Sequence, residues 1–394
     1  MHRVVSGGLL AAFAVLGFAY NASAIEVERS GNTYHAAACA RVVGPAAHCT
    51  ARIVTDRSGR PIQNAAPISG KFPADLRDAY KITATGSSST IVAIVDAFGY
   101  TNAEADLGVY RAQFGLPACT TANGCFKKLN QKGQEKNYPA QNIGWAQESA
   151  LDLDMASAMC PNCTLYLVEG NTNSFKNLGT AVDTAASLGA HVISNSYAGG
   201  EGGGDANIDH YYTHPGIAIT ASSDDAGYGA AYPATSPHVI AVGGTHLVKD
   251  GSDRGWAETV WHGAGSGCSK VFDKPTWQTD KGCKKRMESD VSAVADPATG
   301  VAVYGPNNSG VSTWLVFGGT SVSAPLIGGI FGANGGTVND ASTIYAHSSA
   351  LFDVTTGNNG TCKAGKKAYF CNGAVGYDGP TGLGTPNGST AFGD

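Results

Sequence analysis

Charge is the first thing this chain is short of. Asp, Glu, Lys and Arg make up 14% of its 394 residues, against about a quarter in an ordinary soluble domain. There are 26 basic and 31 acidic residues. Setting aside Arg3, which falls in an export signal, leaves 25 against 31 and a net charge of −6. That balance excludes the basic footprint of a nucleic-acid binder. It also avoids severe repulsion when carboxylates protonate, which is compatible with work in acid. Long apolar runs are missing as well: beyond the N-terminus nothing reaches the ~18 consecutive residues of a membrane span, so no membrane partner is expected. Internal repeats and low-complexity linkers are lacking, which leaves one large domain as the simplest organisation.

What is present begins with that export signal. Met1-His2-Arg3 is a short basic start, residues 7–17 are an apolar run too short to cross a bilayer, and Ala22-Ser23-Ala24 is a small-residue cleavage site. Residues 1–24 read as a secretory signal peptide cleaved after Ala24, giving a secreted product, extracellular or periplasmic. All ten cysteines lie beyond it, an even count in an exported chain. They fall as local couples: Cys39/Cys49, Cys119/Cys125, Cys160/Cys163, Cys268/Cys283 and Cys362/Cys371. Adjacent-pair disulfides are expected, although spacing alone does not fix connectivity. Cys160-Pro161-Asn162-Cys163 has redox or metal spacing, but with no second such couple a structural bridge is favoured.

Gly318-Gly319-Thr320-Ser321-Val322-Ser323-Ala324-Pro325 runs straight into the apolar Leu326-Ile327-Gly328-Gly329-Ile330-Phe331. A hydroxyl at the start of a buried helix sits at the positive end of its dipole, beside unpaired backbone N–H groups. That setting serves both a nucleophile and a developing oxyanion. The plainer reading is an N-cap, but capping needs neither the two glycines before nor the Ser-Ala-Pro after. Among ten histidines none opens a buried helix in a His-Gly-Thr context; His262-Gly263 comes nearest, in a stretch with turn character. A carboxylate is the alternative base. Residues 147–159 read as an amphipathic helix on which Glu148 and Asp152, four apart, share one face. Two such carboxyls tend to share a proton, keeping a base and a donor together in acid. A solvated acidic face is the ordinary alternative. Downstream, the apolar Pro215-Gly216-Ile217-Ala218-Ile219-Thr220 leads into Ala221-Ser222-Ser223-Asp224-Asp225-Ala226-Gly227, and residues 236–245 supply another strand and turn.

With a Glu-x-x-x-Asp helix, an Ala-Ser-x-Asp turn and a Gly-Thr-Ser-x-Ser-x-Pro helix start in this order, the chain resembles the sedolisin (serine-carboxyl peptidase) family over roughly residues 79–394. The resemblance implies Ser321 as nucleophile, Glu148 as general base, Asp152 as the residue orienting it and Asp224 as the oxyanion carboxyl, with neighbouring Asp225 a turn residue. An ionised carboxylate cannot donate a hydrogen bond, so Asp224 would have to be protonated while Glu148 is not. Asp96, closing the apolar run 89–96, and Tyr197 match positions that extend the same network; an ordinary turn cap and an ordinary core aromatic are the alternatives. Asp353 and Asp378 lie on Gly-rich loops, where hard oxygens suit calcium. The resemblance implies one Ca2+ held by those two side chains and by the carbonyls of Val354, Ala374 and Gly376; an Asx-turn at each Asp is the alternative.

The alternation of strands (90–96, 164–169, 191–196, 216–221) with helices (103–114, 147–159, 174–188) predicts an α/β fold, subtilisin-like, with a mainly parallel sheet covered by helices on both faces. The site is expected at the carboxyl edge of the strands. Residues 25–78 resemble no complete propeptide and read as a short N-terminal segment, a possible vestigial propeptide, ahead of a catalytic domain at 79–394. The resulting reading is a monomeric, secreted, acid-acting serine-type endopeptidase on protein or peptide substrates. Its alternatives are a catalytically inactive protease-like calcium-binding surface protein and a neutral subtilisin-type protease using Asp96 and a histidine.

Overall fold

The computed structural model describes residues 26–42, 44–63 and 68–393; the expected signal segment 1–24 lies outside them. At the centre is a twisted sheet in the order Trp256–Val260, Ile240–Lys249, Ala218–Ser222, Val192–Asn195, Ile91–Ala97, Thr164–Gly170, Phe126–Asn130. Val291–Val294 pairs alongside Ile240–Lys249. All of these ladders are parallel except that of Trp256–Val260. After Ile91–Ala97 the chain lays down the edge strand Phe126–Asn130, fills the gap with Thr164–Gly170, then adds Val192–Asn195 and its successors on the other side. The strand order therefore reverses between Ile91–Ala97 and Val192–Asn195, where open α/β sheets place their crevice.

The sheet is buried on both faces, and the strands show why. Successive side chains of a strand point to opposite faces. Val92 and Ile94 enter one core with Leu165, Leu167, Val192 and Val242, while Ala93 and Val95 enter another with Tyr166, Val168, Ile193 and Ala241. The helices, in chain order, are α1 (Pro73–Ala79), α2 (Ala103–Gln113), α3 (Ile143–Met159), α4 (Phe175–Ser187), the single turn α5 (Asp205–Ile208) and α6 (Thr320–Ala333). α1, α2, α3 and α6 contribute to the first core and α4 to the second, so helices cover both faces as expected.

Two expectations about α3 are corrected. It begins at Ile143, not 147, because Asn142 caps it by accepting the Trp145 amide at 3.2 Å. It is also not amphipathic: every residue from Trp145 to Met159 is buried. A helix enclosed on all sides keeps its polar residues only by satisfying them internally. Gln147 donates to the Pro306 carbonyl at 3.0 Å, Ser149 to the Trp145 carbonyl at 3.0 Å, and Asp154 accepts the Tyr304 amide at 3.0 Å.

The N-terminal segment is woven into the fold. Val27–Ser30, Thr33–Ala37 and Arg52–Thr55 form an antiparallel sheet with Ser312–Gly318 and Val301–Pro306. The boundary expected at 78/79 falls inside α1, whose Leu76 and Ala79 are fully buried in the first core. All five adjacent-pair disulfides form. Ile327 of α6 is fully buried in the first core. Ile327→Ala should therefore cost about 2–5 kcal/mol, read as a lowered denaturant midpoint at unchanged slope.

Candidate active site

Gly319 is the N-cap of α6, with φ 98°, a left-handed conformation that disfavours a side chain. It therefore caps without a side chain, and Thr320 and Ser321 lie in the first turn itself. The plain capping reading of Ser321 does not hold. A Cβ on Gly318 would meet the Pro297 nitrogen at 2.5 Å and the Ala295 carbonyl oxygen at 2.6 Å, which explains the first glycine of the pair. Pro325, lacking an N–H, leaves the Ser321 carbonyl without its helical partner.

Facing this turn are the carboxyls of α3. Glu148 and Asp152 are fully buried, and so is Asp96 at the carboxyl end of Ile91–Ala97. Among the described residues, Glu148 Oε1 and both oxygens of Asp152 and of Asp96 have no hydrogen-bond partner. Burial, then the charge of Asp96, push Glu148 well above the usual carboxylate range; the nearby Ser321 hydroxyl pulls the other way. Asp152 is pushed well up by burial and by the charges of Asp96 and Glu148. Asp96 itself is raised to about 7, chiefly by burial. Three acids thus meet in a dry pocket, and at least part of the group holds protons near neutrality. Tyr197 stands apart from them: its hydroxyl bonds Asn195 at 2.8 Å and the Tyr212 hydroxyl at 3.2 Å.

The two aspartates after Ala218–Ser222 divide differently from expectation. Asp225 reaches the start of α6, where its Oδ1 accepts the Thr320 amide at 2.8 Å and the Thr320 hydroxyl at 2.9 Å. Burial raises it to about 6, against the pull of Arg52 and the Thr320 amide. Asp224 adopts φ 77°, which turns its side chain the other way, toward His48 Nε2 at 3.1 Å and Arg41 at 3.5 Å. Burial opposes its ionisation, but the His48 hydrogen bond and the charges of His48 and Arg41 prevail and hold it below the usual value. The carboxyl beside the nucleophile turn is therefore that of Asp225, and Asp224 faces the N-terminal segment. In sequence the adjacent acids are equivalent; the left-handed backbone at the first separates them.

That segment was not foreseen in the site. His48–Cys49 pairs antiparallel with Tyr197–Gly200, and the Thr50 amide donates to the Ser196 carbonyl at 3.3 Å. The Thr50 hydroxyl lies 2.7 Å from Ser321 Oγ and donates to Ser222 at 2.8 Å. The Ala51 amide donates to Glu148 Oε2 at 2.9 Å. Arg52 bonds Asp225 Oδ2 at 3.2 Å and its carbonyl at 2.8 Å. With the segment in place, Ser321 is fully buried.

Asp353 and Asp378 come together at the far end of the chain. Asp378 is buried and raised to about 7, mainly by burial and in part by the charge of Asp353. Ala374 N–H donates to Asp378 at 2.9 Å and Gly376 N–H to Asp353 at 2.8 Å, while no lysine or arginine pairs with either acid among the described residues. Asp378 also accepts the Thr381 amide at 2.9 Å and hydroxyl at 2.8 Å, and no cluster of three or more His, Cys, Asp or Glu side chains lies there among the described residues, so an ion at these two hard oxygens would have to draw its other ligands from the backbone.

No family model matches the chain. Among curated proteins it is 29% identical to kumamolisin of Bacillus sp. (strain MN-32), over 83% of this chain and 63% of that protein. It is 26% identical to sedolisin of Pseudomonas sp. (strain 101), over 84% and 62%. A solved structure of Pseudomonas sedolisin, complexed with two molecules of pseudo-iodotyrostatin, overlays with a TM-score of 0.67 and 25% identity, over 82% of this chain and 96% of that one. The chain is thus similar to members of the sedolisin family over most of its length. It spans less than two thirds of the length of these curated relatives. Subtilisin-related fervidolysin from Fervidobacterium pennivorans, at TM-score 0.51 and 16% identity, shares the fold alone.

The buried acids of this chain couple stability to pH. A carboxyl raised by folding binds its proton more tightly in the folded chain. The resulting stabilisation is complete below the unfolded value near 3.8 and is lost as pH rises through about 6 for Asp225 and about 7 for Asp96. The melting temperature should therefore fall between about pH 4 and pH 7, and Asp96→Asn, which keeps the shape but not the titration, should flatten the decline.

Proposed function

We propose that the protein is a secreted peptidase that cleaves peptide bonds in acid through an acyl-enzyme formed on Ser321. The observation carrying this reading is the meeting of Ser321, in the first turn of α6, with a buried carboxyl pair, of whose oxygens Glu148 Oε1 and both of Asp152 lack partners. Ser321 attacks the carbonyl carbon, Glu148 takes the hydroxyl proton and passes it to the leaving amine, and Asp152 steers Glu148. Asp96 keeps a proton within the group. The developing oxyanion requires donors; the Ser321 amide, in the first turn of α6 and without a helical partner, can supply one. Asp225 replaces Asp224 as the oxyanion carboxyl in this reading, because its carboxyl lies at that turn and, with a pKa of about 6, is protonated in acid and able to donate. Turnover then needs Asp225 protonated, which holds below about pH 6, and the one negative charge shared among the buried acids to rest on Glu148.

Residues on both sides of Thr50 run through the site, which supports cutting within chains and hence endopeptidase action. A histidine-based neutral mechanism finds no support, since the hydrogen-bond partners of Ser321 are Thr50 and the Ser196 carbonyl. Five disulfides favour an oxidising compartment and hence export. A Ca2+ ion at Asp353 and Asp378, with carbonyls of Val354, Ala374 and Gly376, would neutralise the two acids and tie their loops together.

Hydrolysis of a denatured protein, followed from acid to neutral pH, tests the reading. Activity should be confined to acid and fall at least about a thousandfold in Ser321→Ala and Glu148→Gln. Asp225→Ala should cost about 100–1,000-fold in kcat, and Asp224→Ala much less. Activity near neutrality that survives Glu148→Gln would reject the carboxylate base. Chelation of calcium should lower the melting temperature by several degrees, restored by Ca2+ but not by Mg2+, and Asp378→Asn should abolish the response.

A further inference from the structure

Three arginines are buried among the described residues, Arg52, Arg111 and Arg286, and one of them has no acid. Arg286 is paired with Asp290 at 2.7 Å and Arg52 with Asp225 at 3.2 Å. Arg111, 1% exposed in the last turn of α2, meets no carboxylate at ion-pair distance among the described residues. A buried guanidinium without a counter-charge is costly to keep, and burial presses its pKa down to about 10. Asp154 pulls the other way, but burial pushes that acid well above the usual carboxylate range, so it gives up its proton late.

Arg111 lines a cavity of about 570 Å³, a size that suits a small-molecule ligand. It is the sole charged side chain of that lining among the described residues. The cavity lies at the amino ends of the central strands, where Ser87 and Ser88 precede Ile91–Ala97 and Thr164 begins Thr164–Gly170. The acids facing Ser321 stand at the other end of the sheet. Two turns closed by the disulfides Cys119–Cys125 and Cys160–Cys163 frame the cavity, and Arg111 braces them. Its Nε donates to the Pro117 carbonyl at 2.5 Å, one terminal nitrogen to the Pro161 carbonyl at 2.6 Å, and the other to the Ser157 hydroxyl. Each terminal nitrogen keeps a second hydrogen, the pair that matches two oxygens of an anion. Asn123 and Asn162 likewise spend one amide hydrogen each, on the Ala118 carbonyl at 2.9 Å and on Thr85 Oγ1 at 3.1 Å, and keep the other. A brace between loop carbonyls needs no charge, so bracing alone leaves the buried cation unexplained.

We propose that this cavity is an oxyanion site, remote from Ser321, in which the remaining hydrogens of Arg111 take two oxygens of a peptide's terminal carboxylate or of inorganic phosphate. The free amide hydrogens of Asn123 and Asn162 and the Ser88 hydroxyl complete the donor set. No acid of the lining repels the guest. Because disulfides hold the walls, little freedom is lost in ordering them around it. The inference stands apart from the peptidase reading, since no step of it involves Ser321.

The test is isothermal titration near neutral pH and in low salt, on the full chain carrying Ser321→Ala so that a peptide probe stays whole. The probes are inorganic phosphate, a short peptide with a free carboxyl end, and the same peptide amidated. Saturable binding of phosphate or of the free-acid peptide, with Kd of about 1 mM or tighter, is the expected result. Arg111→Met should weaken it at least about tenfold. Asn162→Asp, which sets a carboxylate in the same cavity and changes no partner of Arg111, should weaken it as much. That variant should also raise the melting temperature, because the missing counter-charge is then internal. If the Arg111→Met chain does not fold, Asn162→Asp decides alone. Phosphate binding names an inorganic guest, and preference for the free-acid over the amidated peptide names a chain end; either supports the site. No binding of either probe below about 10 mM, or binding that Asn162→Asp leaves unmoved, overturns the inference and leaves Arg111 a brace between two loops.

Discussion

Several carboxyls buried in one dry pocket are the constraint from which the rest of this molecule follows. Asp96, Glu148 and Asp152 are fully buried, and among the described residues no lysine or arginine pairs with them. Ionising them all would cost far more than any single contact returns. The fold resolves this by keeping protons on part of the group, and that choice determines which chemistry is possible. A base and an acid stand side by side only while the solvent can supply the proton. The enclosure of α3 has the same origin: a helix that touched water on one face would let its acids ionise independently. Low surface charge belongs with this pattern, since few other groups change state when these do.

The second organising element is the segment before residue 56, which supplies the cations that the pocket lacks. Arg52 stands against Asp225, while His48 and Arg41 stand against Asp224. His48 and Arg41 hold Asp224 below its usual value, and Arg52 opposes the rise that burial gives Asp225. Blocking is therefore electrostatic as well as steric. Acid weakens both at once, because protonating the aspartates removes the partners that keep the segment seated. A few strands shared with Ser312–Gly318 hold the segment in register.

Much of the central sheet and the approach of Ser321 to the α3 carboxyls was legible from the residues. Apolar runs such as residues 91–95, with helices of ordinary length between them, left little choice of architecture. The Glu148/Asp152 spacing and the two glycines before Thr320 each state a local geometry that a single sequence carries. The start of α3 was hidden by Gly144, a poor helix former in isolation, tolerated here because its α-carbon packs against the Ala38 carbonyl. The choice between Asp224 and Asp225 turned on one backbone angle, which neighbouring side chains do not encode. The path of residues 46–55 was unreadable for a deeper reason. Strand addition is made by main-chain groups, which every sequence offers, and its register is set by partners some 150 to 270 residues away, such as Ser196 and Ser321.

The shared antiparallel sheet has a consequence of its own. Arg52–Thr55 lies between Thr33–Ala37 and Ser312–Gly318, so it is an interior strand only while the chain before it remains. Departure of the outer strands would convert it into an open border, with a row of amide and carbonyl groups facing solvent. Such a border can be soothed by another extended chain, whether a length of prey protein or a sister molecule. A maturation that clears the cleft would in the same event create a second adhesive ledge a few residues from it, giving the finished molecule a place to grip long, unfolded polymers while it works on them.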